Sequence, residues 1–231
     1  QYRDIVILSR SVATWGNTVA AVLKDCDIPA HVESNTGYFS SYEIQVILSM
    51  LRILDNPLQD IPMAAVLASP IVGMDDEELA QIRSAFKGVS FAQAALSAMA
   101  GEDGYEDEKL KAFALVFERL RGAVADTPIH ELLYMMLDET GFYRYASAMP
   151  AGKRRRQNID MLFEMAAAYE KTSYKGLFHF VRYIDIQQKY EIDYGEADTA
   201  GENDDVVRIM TIHKSKGLEF PVVFVSRLGK G

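Results

Sequence analysis

The chain has 231 residues, 49% of them hydrophobic, which is enough for one sizeable core or for one domain and a smaller companion. A formal net charge of −9 argues against a general nucleic-acid coat, which would be basic, but leaves room for a local phosphate site. A single cysteine, Cys26, excludes an intramolecular disulfide and a cysteine-rich zinc site and fits a reducing cytoplasm, and no apolar run approaches the roughly 20 residues that span a bilayer.

The first element is DIVILS (Asp4–Ser9), a short β-rich run bounded by polar residues, which predicts a buried strand. ATWGNTVAAVLKDCD follows with helical spacing that sets Trp15, Val19, Val22 and Leu23 on one face. IPAHVES, opened by Pro29, reads as a second strand. Strand, helix and strand with short connections make a βαβ unit, and hence a parallel sheet. SSYEIQVILSMLRILDNP predicts the clearest helix, with Ser40 or Ser41 as cap, Glu43 in the first turn and Pro57 as the stop.

From about Pro57 to Glu191 the texture is helical. MDDEELAQIRSAF, EDEKLKAFALVFERLRGAVAD, PIHELLYMMLDETGFYRYASA, RRQNIDMLFEMAAAYEK and YKGLFHFVRYIDIQQKYE all carry apolar residues at three-and-four spacing. An acidic, glycine-containing stretch without lysine or arginine (Asp193–Asp205) reads as a linker, after which β texture returns in VVRIM and PVVFV. The expected architecture is an α/β fold with a large all-α insertion. Residues 1–56 and 204–231 form a partial parallel sheet from both chain ends, and residues 57–203 form the helical insertion. QYRDIVILS and RLGKG read as ends cut from within a longer protein.

Between the last two strands lies TIHKSKGLEF (Thr211–Phe220). A loop at the end of a buried parallel strand is where α/β proteins bind ligands. Thr211 can offer its hydroxyl to a phosphate, His213 a ring N–H, Lys214 and Lys216 charge, and Gly217 a close approach of backbone amides to an anion. Glu219 cannot hold phosphate but can accept from a sugar hydroxyl or hold a lysine. Read by residue type alone, the same loop is more often a solvated one. The phosphate-binding pattern G-x-x-x-x-G-K-[ST] is absent from the chain. His31, His130 and His179 are isolated in sequence, so no metal is assigned. Asp75/Asp76 and Asp204/Asp205 read as helix-start and linker residues and not as an acid–base pair. The dense basic run GKRRRQ (Gly152–Gln157) reads as a solvated loop, with phosphate contact as the alternative.

VVRIMTIHKSKGLEFPVVFVSRLGKG resembles motif V of the superfamily 1A helicases, the UvrD/PcrA/Rep/RecB group, whose pattern is close to T-x-H-x-x-K-G-L-E-[FW]-x-x-V-[FI]. The stretch from DIVILSRS to LDNP is similar to the opening of that family's second motor domain, 2A. TGYFSSYEI, LDNPLQDIPMAAVLASPIVGMDDEELA and GENDDVVRIMTIHKSKGLEFPVVFVSRLG resemble the AddA subunits of bacterial AddAB (RexAB) helicase-nucleases. The resemblance covers both ends of the chain strongly and the helical block more loosely, and it implies part of a RecA-like domain 2A carrying an inserted helical domain 2B. It also implies single-strand backbone contacts at Thr211, His213 and Arg10, with Lys216 and the motif glycine Gly217 beside them. Glu219 matches the glutamate that couples the loop to the nucleotide cleft. Tyr38 and Phe39 match an aromatic pair that can stack a base, with core packing at a helix entry as the alternative and the expected reading for Phe39, and Val12 stands where UvrD-like relatives often have Asn, so that contact is expected to be missing.

The implied parent is a cytoplasmic, ATP- and Mg-dependent DNA helicase and exonuclease of double-strand-break repair. It would act on single strands and single-strand/duplex junctions, have no membrane partner, and pair with an AddB-like second subunit. The chain itself, without catalytic residues of its own, is expected to bind no cofactor and to be inactive alone. A UvrD- or RecB-type parent is the alternative within the family. Outside it, the helical block reads as a non-catalytic module that docks a protein. A turn of sequence P-x-R-G-I-G, which grips duplex phosphate in UvrD-like relatives, is replaced here by Pro70–Asp75, PIVGMD.

Overall fold

A computed structural model of the chain describes residues 1–10, 12, 15–33, 38–172, 175–189 and 205–226. It divides into two compact units, Gln1–Ser40 with Glu191–Gly231, and Ser41–Tyr190.

The first unit is built on four parallel strands, β1 (Ile5–Ser9), β2 (Ala30–Glu33), β3 (Val207–Thr211) and β4 (Val222–Val225), in the order β2-β3-β1-β4. The two ends of the chain therefore share one sheet, as the sequence predicts. The strand–helix–strand unit leaves a gap between β1 and β2 that β3 fills. The central strands carry the buried residues: Val6 and Ser9 on β1, and Val207, Ile209 and Met210 on β3. A parallel strand flanked on both sides needs such a continuous apolar run. Helix α1 (Gly16–Asp25) packs on β2 and β3. Its buried face is narrower than the periodicity predicts: Val19 and Leu23 are half-buried, but Val22 is 56% exposed.

The second unit is all helix among the described residues. It comprises α2 (Tyr42–Asp55), α3 (Asp60–Ala68), α4 (Asp76–Ala85), α5 (Phe91–Met99), α6 (Glu108–Ala123), α7 (Ile129–Thr140), α8 (Phe142–Ala148), α9 (Gly152–Tyr169) and α10 (Leu177–Lys189). Helix α2 is its hub, packing against α3, α6, α9 and α10. Its residues Ile44, Ile47, Met50, Leu51, Ile53 and Leu54 are buried, and a helix apolar on nearly every side belongs inside a core. Ser41 takes the cap position and Asn56 ends the helix. The segment read from sequence as one helix over PIHELLYMMLDETGFYRYASA is two, because Gly141 adopts a left-handed conformation (φ 64°) and closes α7 before α8 begins. The acidic linker predicted at Asp193–Asp205 lies outside the described residues except for Asp205, whose carboxylate accepts from the backbone N–H of Arg3 at 3.0 Å.

Candidate nucleic-acid interface

Parallel strands put all their carboxyl ends on one edge, and here that edge gathers residues from both ends of the chain. Ser9 and Thr211 are the last register pair of β1 and β3. Beyond the pair, the N–H of Ile212 donates to the Ser9 carbonyl at 2.9 Å. Arg10, exposed, leaves β1 at that edge, and Thr211 and His213 leave β3 beside it.

The loop after β3 is a compact turn over residues 212–217. Thr211 caps it as a helix start would: its hydroxyl oxygen accepts from the Lys214 N–H at 3.2 Å, and its carbonyl accepts from the N–H groups of Lys214 and Ser215 at 3.1 Å each. Ser215 Oγ donates to the Ile212 carbonyl at 2.9 Å. The turn closes on Gly217, whose φ of +90° puts it where side chains with a Cβ are strained. This geometry pushes His213, Lys214 and Lys216 outward into solvent. The loop therefore carries a local positive charge on a chain whose balance is acidic.

Glu219 stands apart. Strand β4 begins at Val222, which pairs with Ile5 at the amino end of β1, so the segment after Gly217 runs back across the sheet. Glu219, three residues before Val222, is at most about 10 Å from it. It lies on the segment that leads from Gly217 back to β4, while Arg10, Thr211 and His213 lie at the carboxyl edge. One short loop spans the two ends of the sheet.

A model of the UvrD-like helicase C-terminal domain matches residues 1–231. The chain belongs to that family. It is 46% identical over its whole length to an ATP-dependent helicase/nuclease subunit of Bacillus cytotoxicus. The proteins of the same name from Anoxybacillus flavithermus and Oceanobacillus iheyensis are 45% and 42% identical over 99% and 100% of the chain. The chain spans 19% of the length of each of these relatives.

At the other positions that the resemblance of this UvrD-like chain singles out, core packing and local hydrogen bonds prevail. Tyr38 and Phe39 are 0% and 3% exposed, with ring centroids 5.0 Å apart in an edge-on pair, so neither offers a face to a base. Val12, in the place of a polar contact, is buried. The turn at Pro70–Asp75 has no free amides to offer a phosphate. The N–H of Ile71 donates to Ser69 Oγ at 3.3 Å, and those of Val72 and Gly73 donate to the Ser69 carbonyl at 3.1 and 2.7 Å. That of Met74 donates to the Leu67 carbonyl at 3.0 Å, and that of Asp75 to Glu78 Oε2 at 2.8 Å. Asp75 and Glu78 form a reciprocal cap on α4, and Lys109 Nζ locks it by donating to Glu78 Oε1 at 2.7 Å and to the Gly73 carbonyl at 2.8 Å. Hydrogen bonding to Lys109, then to the Asp75 N–H, holds the Glu78 carboxyl below the usual range, so it stays anionic where phosphate would have to sit.

The basic run GKRRRQ is not a loop but the first turns of α9. One of its arginines is absorbed: Arg155 donates to Glu43 Oε2 and to the Pro150 carbonyl, while Lys153, Arg154 and Arg156 are exposed. Glu43, read from sequence as a first-turn residue, is 1% exposed and holds Arg155 and Asn158 together. Its signal in the sequence is faint: one carboxylate on a face that is otherwise apolar. Among the described residues no group of three or more His, Cys, Asp and Glu is placed to hold a metal.

Proposed function

We propose that this chain is part of an ATP-dependent DNA helicase-nuclease of the AddA type, and that it couples nucleotide state to grip on a single strand of DNA. The observation that carries the reading is the loop between β3 and β4, which spans both ends of a parallel sheet in a chain of this family. At the carboxyl edge, Thr211, His213 and Arg10 hold the strand backbone, with Lys216 and Gly217 on the same turn. Such contacts position a strand without reading its sequence. On the segment leading back to β4, Glu219 senses the nucleotide. A shift of the loop when ATP binds or leaves then moves the DNA contacts.

Residues 1–56 and 204–231 belong to the family's domain 2A, and residues 57–203 form its inserted domain 2B. The parent unwinds and processes DNA ends in double-strand-break repair, in the cytoplasm, using ATP and Mg and working with an AddB-like second subunit. The chain lacks the G-x-x-x-x-G-K-[ST] loop and neither binds nor hydrolyses ATP by itself. Purified chain is expected to show no DNA-stimulated ATPase activity above a mutant control.

The test is a salt-titrated binding measurement on single-stranded, duplex and junction DNA. Each neutralised phosphate contributes about 0.7 to the single-strand slope of log affinity against log salt, so Arg10→Ala and Lys216→Ala should each flatten it by about that amount. Unchanged slopes in both variants would remove this loop from the DNA path.

A second reading applies to the helical unit alone. The consumed amides of Ile71–Asp75 and the carboxylates of Asp75–Glu78 favour a protein-docking module over a duplex grip there.

A further inference from the structure

The helical unit carries a groove whose lining points to a cation. Two cavities, of about 380 and 270 Å³, share Tyr134 and Phe163 in their linings and lie side by side along α7 and α9. Tyr143 of α8 extends the aromatic lining at one end. Around these three rings stand three carboxylates: Glu131 at one end, and Asp138 and Asp160 at the other. Tyr134 is 65% exposed, so its ring is open to a partner.

Aromatic faces and carboxylates attract the same kind of group. A ring face carries the negative part of its quadrupole, and a guanidinium lies flat on it while its N–H groups reach carboxylates at the edge. The chain already sets such a group at the rim: Arg144 Nη2 lies 3.7 Å from Asp138 Oδ1, with a side chain 86% exposed. Arg144 thus answers Asp138 at that end of the groove. Tyr143 OH donates to Asp160 Oδ1 at 3.3 Å, which fixes the ring and orients that carboxylate. Arg156, which lies within electrostatic reach of Tyr143, adds positive charge at that end only. The seat flanked by Tyr134, Phe163 and Glu131 is away from it.

Length separates a peptide from a free amine. From His130 to Asp138 the groove follows eight residues of α7, about 12 Å at 1.5 Å per residue. That matches three or four residues of extended chain.

We propose that the α7–α9 groove is a docking site for an extended segment of a protein partner, and that this segment inserts an arginine side chain between Tyr134 and Phe163. Glu131 receives its guanidinium, and apolar neighbours of the arginine lie on Met135. The site is independent of the loop after β3 and of the nucleic-acid reading.

The test titrates the 231-residue chain with N-acetyl-arginine amide, with its norleucine counterpart and with a thymidine oligonucleotide, following backbone amide shifts by NMR. The arginine probe should move amides of α7 and α9 and the norleucine probe should not. Glu131→Gln should weaken arginine binding about fivefold, the scale of one exposed cation–aromatic or charge contact, and Asp160→Asn, at the other end of the groove, should leave it nearly unchanged. Arg144→Ala should strengthen it about twofold, because the competing guanidinium is gone. All three positions are exposed, and the amide spectrum itself reports whether each variant is folded. Arginine shifts scattered over other acidic surface, or unchanged by Glu131→Gln, would overturn the proposal. Groove shifts driven by the oligonucleotide and weakened by Arg144→Ala would overturn it in favour of a strand of nucleic acid.

Discussion

Arg155 of α9 donates to the Glu43 carboxylate of α2, and Asn158, one turn further along α9, donates to the other Glu43 oxygen at 2.6 Å. Glu43 and Asn158 are 1% and 0% exposed, so both carboxylate oxygens are satisfied inside the core of the helical unit. A buried ion pair contributes little net stability against a well-packed apolar replacement, but removing one member leaves a charge without a partner. Arg155→Met should therefore lower unfolding free energy by about 3–5 kcal/mol. The double change Arg155→Met with Glu43→Leu should recover much of that loss. Urea midpoints of both variants check it; a single variant as stable as the parent chain would mean that the pair is already solvated.

The response to acid follows from two carboxylates of the helical unit. Burial tends to raise the Glu170 pKa, but the N–H of His130, its ring nitrogen at 2.7 Å and its charge outweigh burial and hold the group below the usual range. Glu78 is lowered by Lys109 and the Asp75 N–H. A carboxyl whose folded pKa is depressed contributes stability that is present above its unfolded value, about 4.3 for Glu, and lost as pH falls through the folded value. Unfolding free energy should thus be flat from pH 6 to about 5 on account of these groups and fall below about 4.3. Glu170→Gln should make that fall shallower. A pH profile of the denaturation midpoint decides it, and an identical acid limb in the variant would exclude Glu170 as a contributor.

What the sequence made legible is what depends on local pattern. The strands of the sheet unit show as short β-rich runs, and the joining of both chain ends follows from the return of that texture after the helical block. Long-range packing was not legible. Val22 keeps helical spacing yet faces solvent, because it lies off the face of α1 that packs on β2 and β3. Gly141 splits one periodic run into α7 and α8, and a glycine that caps a helix looks in sequence like one that merely sits in it. GKRRRQ reads as a loop because four cations at a helix start oppose the helix dipole. The tie from Arg155 to Glu43 offsets that cost, and no periodicity encodes it. At the candidate interface the residue types and their order were legible, whereas the placing of Arg10 beside Thr211 depends on the register of β1 with β3.

Two glycines should respond to alanine in different ways. A Cβ on Gly152 would lie 1.9 Å from the Ser147 carbonyl oxygen, where the backbones of α8 and α9 meet. Backbone cannot yield cheaply, so Gly152→Ala should cost at least the 1–3 kcal/mol typical of overpacking, or roughly 2–12 °C of melting temperature in a chain of this size. A Cβ on Gly217 meets nothing within 4 Å, and the only penalty is its φ of +90°. That penalty, about 1–2 kcal/mol, is met by reshaping an exposed turn. Gly217→Ala should leave the melting temperature nearly unchanged while weakening single-strand binding. A calorimetric scan beside a binding titration separates the two, and a large melting shift for Gly217→Ala would mean that the turn is structurally indispensable.

Thr211 has one hydroxyl and two uses for it. Its oxygen already accepts from the Lys214 N–H, which leaves its proton free to donate to a phosphate oxygen. Cap and grip are therefore compatible in the same rotamer. Thr211→Ser keeps both functions and should bind single strands within about twofold of the parent chain. Thr211→Val keeps the shape and removes both: loss of the cap costs about 1 kcal/mol, and loss of the phosphate contact a further 1 kcal/mol or so. Affinity for a thymidine oligonucleotide at low salt should then fall about tenfold or more, with the salt slope unchanged because no cation has been removed. An altered slope in Thr211→Val would instead show that the cap acts by positioning Lys214 and Lys216, with the hydroxyl itself off the strand.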